Sequence, residues 1–141
     1  MDSKKFCCCN VEIGAIIWSS IQIILNSIVF FICVNEISTP TEAFKDFSYD
    51  YFIILIPITV FTIIVHACMI LGTVKEKHQL IFPALVFYLI NLFISIICLI
   101  NIQKLPSVLF QIGLSVYLFS CVQDLYDTIK EKNLAKITVV V

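Results

Sequence analysis

The sequence predicts an all-α integral membrane protein, a four-transmembrane helix bundle with short loops and both termini cytoplasmic. Three observations predict it. Of 141 residues, 60% are hydrophobic and 13% are charged, too few charges to coat a soluble domain of this size. The apolar residues come in long unbroken runs, which suit lipid as the solvent better than a water-facing fold. The remaining charges cluster in short stretches between those runs.

Taken in order, residues 1–10 read as a cytoplasmic cysteine-rich juxtamembrane segment, 11–125 as the membrane domain and 126–141 as a cytoplasmic tail. The first helix is expected over about 11–34. Its apolar run is too long for a signal-peptide core and has no small-residue cleavage site, so it acts as its own anchor. The second is expected over about 51–74, the third over 80–100, and the fourth over 106–121 plus a turn. Each is roughly 20 residues, or roughly 30 Å of helix, the thickness of the hydrocarbon layer. Pro57 is expected to kink the second helix, whereas Pro83 and Pro106 fall in first turns, where proline is tolerated. The second and third loops are only a few residues long, which forces antiparallel neighbours in an up-down-up-down bundle.

The first loop carries Thr39-Pro40-Thr41-Glu42, which fits a capping box with Thr39 as N-cap, Pro40 at N1 and Glu42 at N3. Phe44, Phe47 and Tyr51 follow at helical spacing, so a short helix is expected on the outer membrane surface. All basic residues are lysine. With the amino terminus inside, Lys4, Lys5, Lys75, Lys77, Lys130, Lys132 and Lys136 face the cytoplasm, and only Lys45 and Lys104 face outward. The outer first loop is then acidic, with Glu36, Glu42, Asp46 and Asp50 against Lys45.

The chemistry of catalysis is missing from the apolar runs. No carboxylate lies near a helix centre, and His66 is the one ionisable side chain there. A proton relay needs a partner at similar depth, so His66 is expected to make structural hydrogen bonds. His78 reads as a solvated loop residue. Cys7, Cys8 and Cys9 are adjacent, and Cys33, Cys68, Cys98 and Cys121 sit in apolar runs as small hydrophobes. No disulfide framework and no zinc-ligand spacing emerges. No enzyme activity, cofactor, metal or nucleic-acid partner is expected.

Four amides are more informative. Gln22, Asn26, Asn91 and Gln111 fall within the apolar runs, where an unpaired donor is costly and a partner helix is the usual remedy. The plainer reading is glue between helices, with Asn26 and Asn91 meeting across the bundle. The sharper reading is a polar pocket for a lipid headgroup or a partner's transmembrane helix. Gly14, Gly72 and Gly113 are isolated and give no GxxxG dimerisation signal. Outside the helices, Cys7, Cys8 and Cys9 beside Lys4 and Lys5 suit reversible S-palmitoylation, against three unmodified interfacial thiols. Tyr126-Asp127-Thr128-Ile129 matches the tyrosine-x-x-hydrophobic pattern that sorting adaptors bind in extended form, against an interfacial aromatic at Tyr126. Val139-Val140-Val141 suits strand addition to a PDZ domain.

Several stretches resemble the lysosome-associated transmembrane protein (LAPTM) family, in particular its divergent insect-type tetraspan members. They are Phe6-Cys7-Cys8-Cys9 with Gly14, Leu71-Gly72 followed by Val74-Lys75-Glu76-Lys77, and residues 119–126 ending in Leu125-Tyr126. The resemblance implies a non-enzymatic endolysosomal protein that influences sorting of other membrane proteins or handling of lipids, with a sphingolipid or sterol among its partners. The proline-rich PPxY tail motif of many members is absent here. Two rival readings remain. A structural tetraspan organiser at cell contacts in the plasma membrane is one, although the first loop has no claudin-like cysteine pair with tryptophan. An accessory subunit of a transporter or channel is the other, against which stands the lack of midplane charge.

Overall fold

The first helix begins where a side chain can satisfy its free N–H groups. Asn10 accepts a hydrogen bond from the Glu12 N–H at 3.1 Å and acts as N-cap. The computed structural model describes residues 5–6, 9–45, 49–101 and 105–140. Helix α1 spans Val11–Ser38. Ahead of it, β1 (Lys5–Phe6) and β2 (Cys9–Asn10) pair antiparallel, Lys5 opposite Asn10 and Phe6 opposite Cys9. This small pair is an addition to the all-helical expectation. Cys7 and Cys8 lie outside the described residues.

Thr39 closes α1 instead of opening a new helix. Its N–H and hydroxyl both donate to the Asn35 carbonyl, at 2.7 and 3.2 Å. The expected capping box therefore does not form. Glu36, buried at the end of α1, accepts from the Thr41 N–H at 2.9 Å and the Thr41 hydroxyl at 2.7 Å. That grip leaves a single 3-10 turn, Glu42–Phe44, in place of a surface helix. Phe47 and Asp46 lie outside the described residues. Helix α2, Tyr49–Val74, remains helical on both sides of Pro57.

The end of α2 is a Schellman turn with an unusual residue in it. Lys77 N–H reaches the Gly72 carbonyl at 2.8 Å and Glu76 N–H reaches Thr73 at 3.3 Å, while Glu76 adopts φ 52°. This left-handed position is normally glycine's. Gly72 sits one turn earlier, where an added Cβ would lie 2.7 Å from Ile81 Cγ1, so the following chain packs directly on the helix backbone. A 3-10 turn, His78–Leu80, leads into α3, Phe82–Asn101.

Helix α4 spans Leu105–Val140, 36 residues. It overruns the expected end near 121 and absorbs the segment read as a tail. The cause is an apolar stripe: Leu118, Cys121, Val122, Leu125 and Ile129 recur at helical spacing and are all buried. The stripe carries the helix past Asp124 and Asp127.

The helices form two antiparallel hairpins, α1 on α2 and α3 on α4, which meet along α2–α3 and α1–α4. The start of α1, the α2–α3 turn and the far part of α4 therefore share one end. The core sits at that end and includes Val11, Met69, Ile81, Val122, Leu125 and Ile129. Toward the other end burial thins, and no described side chain of α4 before Leu118 is buried. The outside of the bundle is rich in apolar side chains, with Phe31 70% and Phe110 74% exposed. Among the described residues, three helical stretches are long and apolar enough to cross a membrane: Val11–Ser38, Tyr49–Val74 and His78–Ile97.

Candidate functional site

Each helix brings polar side chains spaced by three or four residues to the bundle interior. These are Trp18, Gln22 and Asn26 on α1, Thr62 and His66 on α2, Tyr88 and Asn91 on α3, and Gln111 and Ser115 on α4. Together with Phe87, Leu114 and Leu118 they line one cavity of about 290 Å³. All five intramembrane polar residues singled out in the sequence meet there. Trp18, Tyr88, Thr62 and Ser115 were missed, although the spacing of each to an amide or to His66 along its own helix marks them.

One side of the cavity is fully bonded. Trp18 Nε1–H donates to the Tyr88 hydroxyl at 2.8 Å. Tyr88 Oη lies 2.9 Å from His66 Nε2, and His66 Nδ1 lies 2.8 Å from the Thr62 carbonyl. A carbonyl only accepts, so Nδ1 carries the proton and Nε2 accepts from the Tyr88 O–H. His66, 1% exposed, thus ties α2 to α3 while Trp18 ties α1 to α3. Among the described residues, no Asp, Glu or Lys lines the cavity.

The amides behave differently from the expectation of glue. Asn26 Nδ2 donates to its own helix, to the Gln22 carbonyl at 2.8 Å and to Gln22 Oε1 at 3.4 Å. Asn91 Nδ2 donates to the Phe87 carbonyl at 3.3 Å. Asn26 and Asn91 share the cavity without bonding each other. Among the described residues, Gln22 Nε2, both asparagine Oδ1 atoms and the Gln111 amide have no protein partner. The helix-to-helix bonds at the cavity run through Tyr88 instead.

The shared end holds a second polar cluster. Lys132 pairs with Glu12 and lies 3.9 Å from Glu76, and Lys136 pairs with Glu76. Asn133 Nδ2 donates to the Glu76 carbonyl at 2.8 Å and faces His78 Nδ1 at 3.3 Å. The hydrogen bond and charge of Lys136 hold the Glu76 carboxyl below its ordinary range. These contacts fasten α4 to the α2–α3 turn and to the first turn of α1. Tyr126 packs edge-on against the His78 ring at 5.5 Å between centroids, and Ile129 is completely buried. The segment read as an extended sorting signal is therefore docked helix, and adaptor binding in extended form would require it to unwind. Helix α4 reaches Val140, with Val139 exposed, and Val141 lies outside the described residues. Among the described residues no group of three His, Cys, Asp or Glu is placed to hold a metal ion.

Apolar helices around an internal polar cavity define a helical membrane protein. The chain belongs to the family of a domain of unknown function, DUF7027, whose model matches residues 13–107. That span includes the cavity residues from Trp18 to Asn91, while Gln111, Ser115 and the docked part of α4 lie beyond it. No curated protein and no solved structure matches the chain.

Proposed function

We propose that this chain is a non-enzymatic four-pass membrane organiser of the endomembrane system, which receives a lipid or a partner's transmembrane helix at the internal cavity. The observation that carries the reading is the convergence of polar groups from four helices on one uncharged cavity. Several of those groups keep free hydrogen-bonding capacity at a depth where solvent does not supply partners. Glue alone would pair the amides across helices; these bond only within their own helix and face a shared space. In this reading α4 is the fourth span, since residues 105–122 carry no charge, and the shared end, rich in lysine, is cytoplasmic. The endolysosomal address rests on the resemblance of the cysteine-rich start and the Leu71-Gly72 turn, and does not need Tyr126 as a signal. Any sorting role then acts through membrane-embedded contacts rather than through the tail.

The test uses the full chain with an epitope in the acidic first loop, expressed as wild type and as an Asn26→Leu, Asn91→Leu double variant. Both should reach the same endolysosomal membranes with the epitope on the lumenal side. The double variant should lose most of the lipids or proteins that co-purify with wild type. An unchanged set of co-purifying species would remove the cavity reading, and accumulation at cell contacts would favour the junctional organiser.

A further inference from the structure

The directions of the hydrogen bonds around the cavity restrict what it can hold. The aromatic side is saturated, since each bond from Trp18 through Tyr88 and His66 ends on the Thr62 carbonyl. The Asn26 and Asn91 side chains are oriented by backbone carbonyls, which accept only from Nδ2. Their Oδ1 atoms are therefore the groups left free, and both are acceptors. Gln22 Nε2 and the Gln111 amide add donors. A group that both donates and accepts satisfies such a mixed set; one that only accepts does not.

Charge restricts it further. A phosphate or carboxylate would enter a low-dielectric space with no cation among the described lining residues and two amide oxygens facing it, a burial that neutral hydrogen bonds do not offset. An ammonium would find no carboxylate. Size and access complete the description. A volume of about 290 Å³ lies at the small end of ligand sites, roughly 300–1,000 Å³, enough for a polar end and the first ring or chain segment. Gln111 and Leu114 are the exposed lining residues, so the cavity opens along α4 toward the surrounding lipid.

Resting on the cavity reading above, we infer that the site takes the uncharged hydroxyl end of a neutral lipid, with its apolar body left in the bilayer beside α4. The hydroxyl donates to Asn26 or Asn91 Oδ1 and accepts from the Gln22 or Gln111 amide. Two kinds of neutral lipid present this chemistry, a ring-bodied sterol and a two-chain diacylglycerol.

The chain carries its own reporter, because Trp18 is its single tryptophan and lines the cavity. Purified full-length protein in phosphatidylcholine nanodiscs is titrated with dibrominated cholesterol, dibrominated diacylglycerol or dibrominated phosphatidylserine, and Trp18 emission is followed. Saturable quenching by one or both hydroxyl lipids is expected, and which of them saturates identifies the source. Phosphatidylserine should quench only in proportion to its mole fraction. Asn26→Leu with Asn91→Leu should weaken half-saturation about tenfold, the loss of one or two hydrogen bonds in a bilayer. Unshifted Trp18 emission of the variant in nanodiscs without brominated lipid reports that it is folded, and Gln111→Leu, at a side chain with no hydrogen-bond partner among the described residues, is the second variant and should weaken binding in the same direction. Equal, non-saturating quenching by all three lipids overturns the inference, as does preferential saturation by phosphatidylserine or indifference to both variants. If no lipid saturates while the double variant still loses its co-purifying species, the ligand class is wrong and the cavity reading stands.

Discussion

Tyr88→Phe removes a single oxygen that two helices depend on. The Tyr88 hydroxyl accepts from Trp18 on α1 and donates to His66 on α2, with Tyr88 95% buried at 5% exposure. The substitution keeps the ring and its edge-to-face contact with His66, 6.0 Å between centroids. It orphans one donor and one acceptor. In water-soluble proteins an orphaned buried group costs about 1–3 kcal/mol. Within a bilayer, measured side-chain hydrogen bonds average about 0.6 and reach about 1.7 kcal/mol. Two bonds of intermediate strength give about 2 kcal/mol of destabilisation. The assay is reversible denaturation in mixed micelles, with Tyr88→Phe, His66→Leu and the double variant forming a cycle. Because His66→Leu already breaks one of the two bonds, the effects should be non-additive by about 1 kcal/mol. A Tyr88→Phe protein as stable as wild type, or strictly additive single effects, would refute the bonded network as the tie between the hairpins.

Three further outcomes follow from the shared end. Gly72→Ala should destabilise by about 1–3 kcal/mol, because the new methyl overlaps Ile81 and meets Leu80 Cβ and the Lys77 carbonyl at 3.1 Å; Gly113→Ala, with nothing within 4 Å, should be neutral or stabilising by up to about 1 kcal/mol, and denaturation midpoints compare them. Glu76→Gly should be more stable than Glu76→Ala by about 1 kcal/mol, since both lose the lysine pairs but only glycine relaxes the φ of 52°; because the Glu76 carboxyl is held low in the folded state, its contribution is present above the ordinary carboxylate range and is lost as pH falls through the folded value, so the protection of amides over residues 126–136, taken relative to the intrinsic exchange rate at each pH, should fall in acid and in high salt. Ile129→Ala should destabilise the fold by about 2–4 kcal/mol, as expected for a fully buried side chain, whereas a pure sorting signal would change trafficking and leave the denaturation midpoint untouched.

The apolar runs made α1, α2 and α3 legible because lipid-facing helices need little beyond length and hydropathy. Their ends were less legible. Thr39 satisfies the pattern of an N-cap, yet its hydrogen bonds run backward to Asn35, a choice decided by Glu36 capturing Thr41 from outside the four-residue motif. The far half of α4 was misjudged from its charges. Asp124, Asp127, Lys130 and Lys132 mark the end of the apolar run, but the spacing of Leu125 and Ile129 marks a helix that stays packed beyond it. The cavity was half legible. Composition exposes the amides and His66, whereas the part played by Tyr88 depends on which neighbour its hydroxyl reaches, and no single helix encodes that.

The distribution of packing along the bundle bears on why the amides remain unpaired. At the shared end, Leu125 and Ile129 are buried to completion, Gly72 lets the α2–α3 turn close onto its helix, and lysine–glutamate pairs join α4 to both other elements. This end carries the buried apolar core, while in the middle the Trp18–Tyr88–His66 bonds tie the hairpins. The middle could then be filled by leucine at Gln22, Asn26, Asn91 and Gln111 at no cost in cohesion, and with a gain for each amide removed from the apolar layer. A sequence under pressure for stability alone would make those exchanges. Amides with spare hydrogen-bonding capacity on three helices, α1, α3 and α4, around one volume are what the proposed binding site requires. The same division explains how the chain can hold a cavity open: the docked end of α4 fixes the helix spacing, and the polar residues inherit a gap they do not have to close.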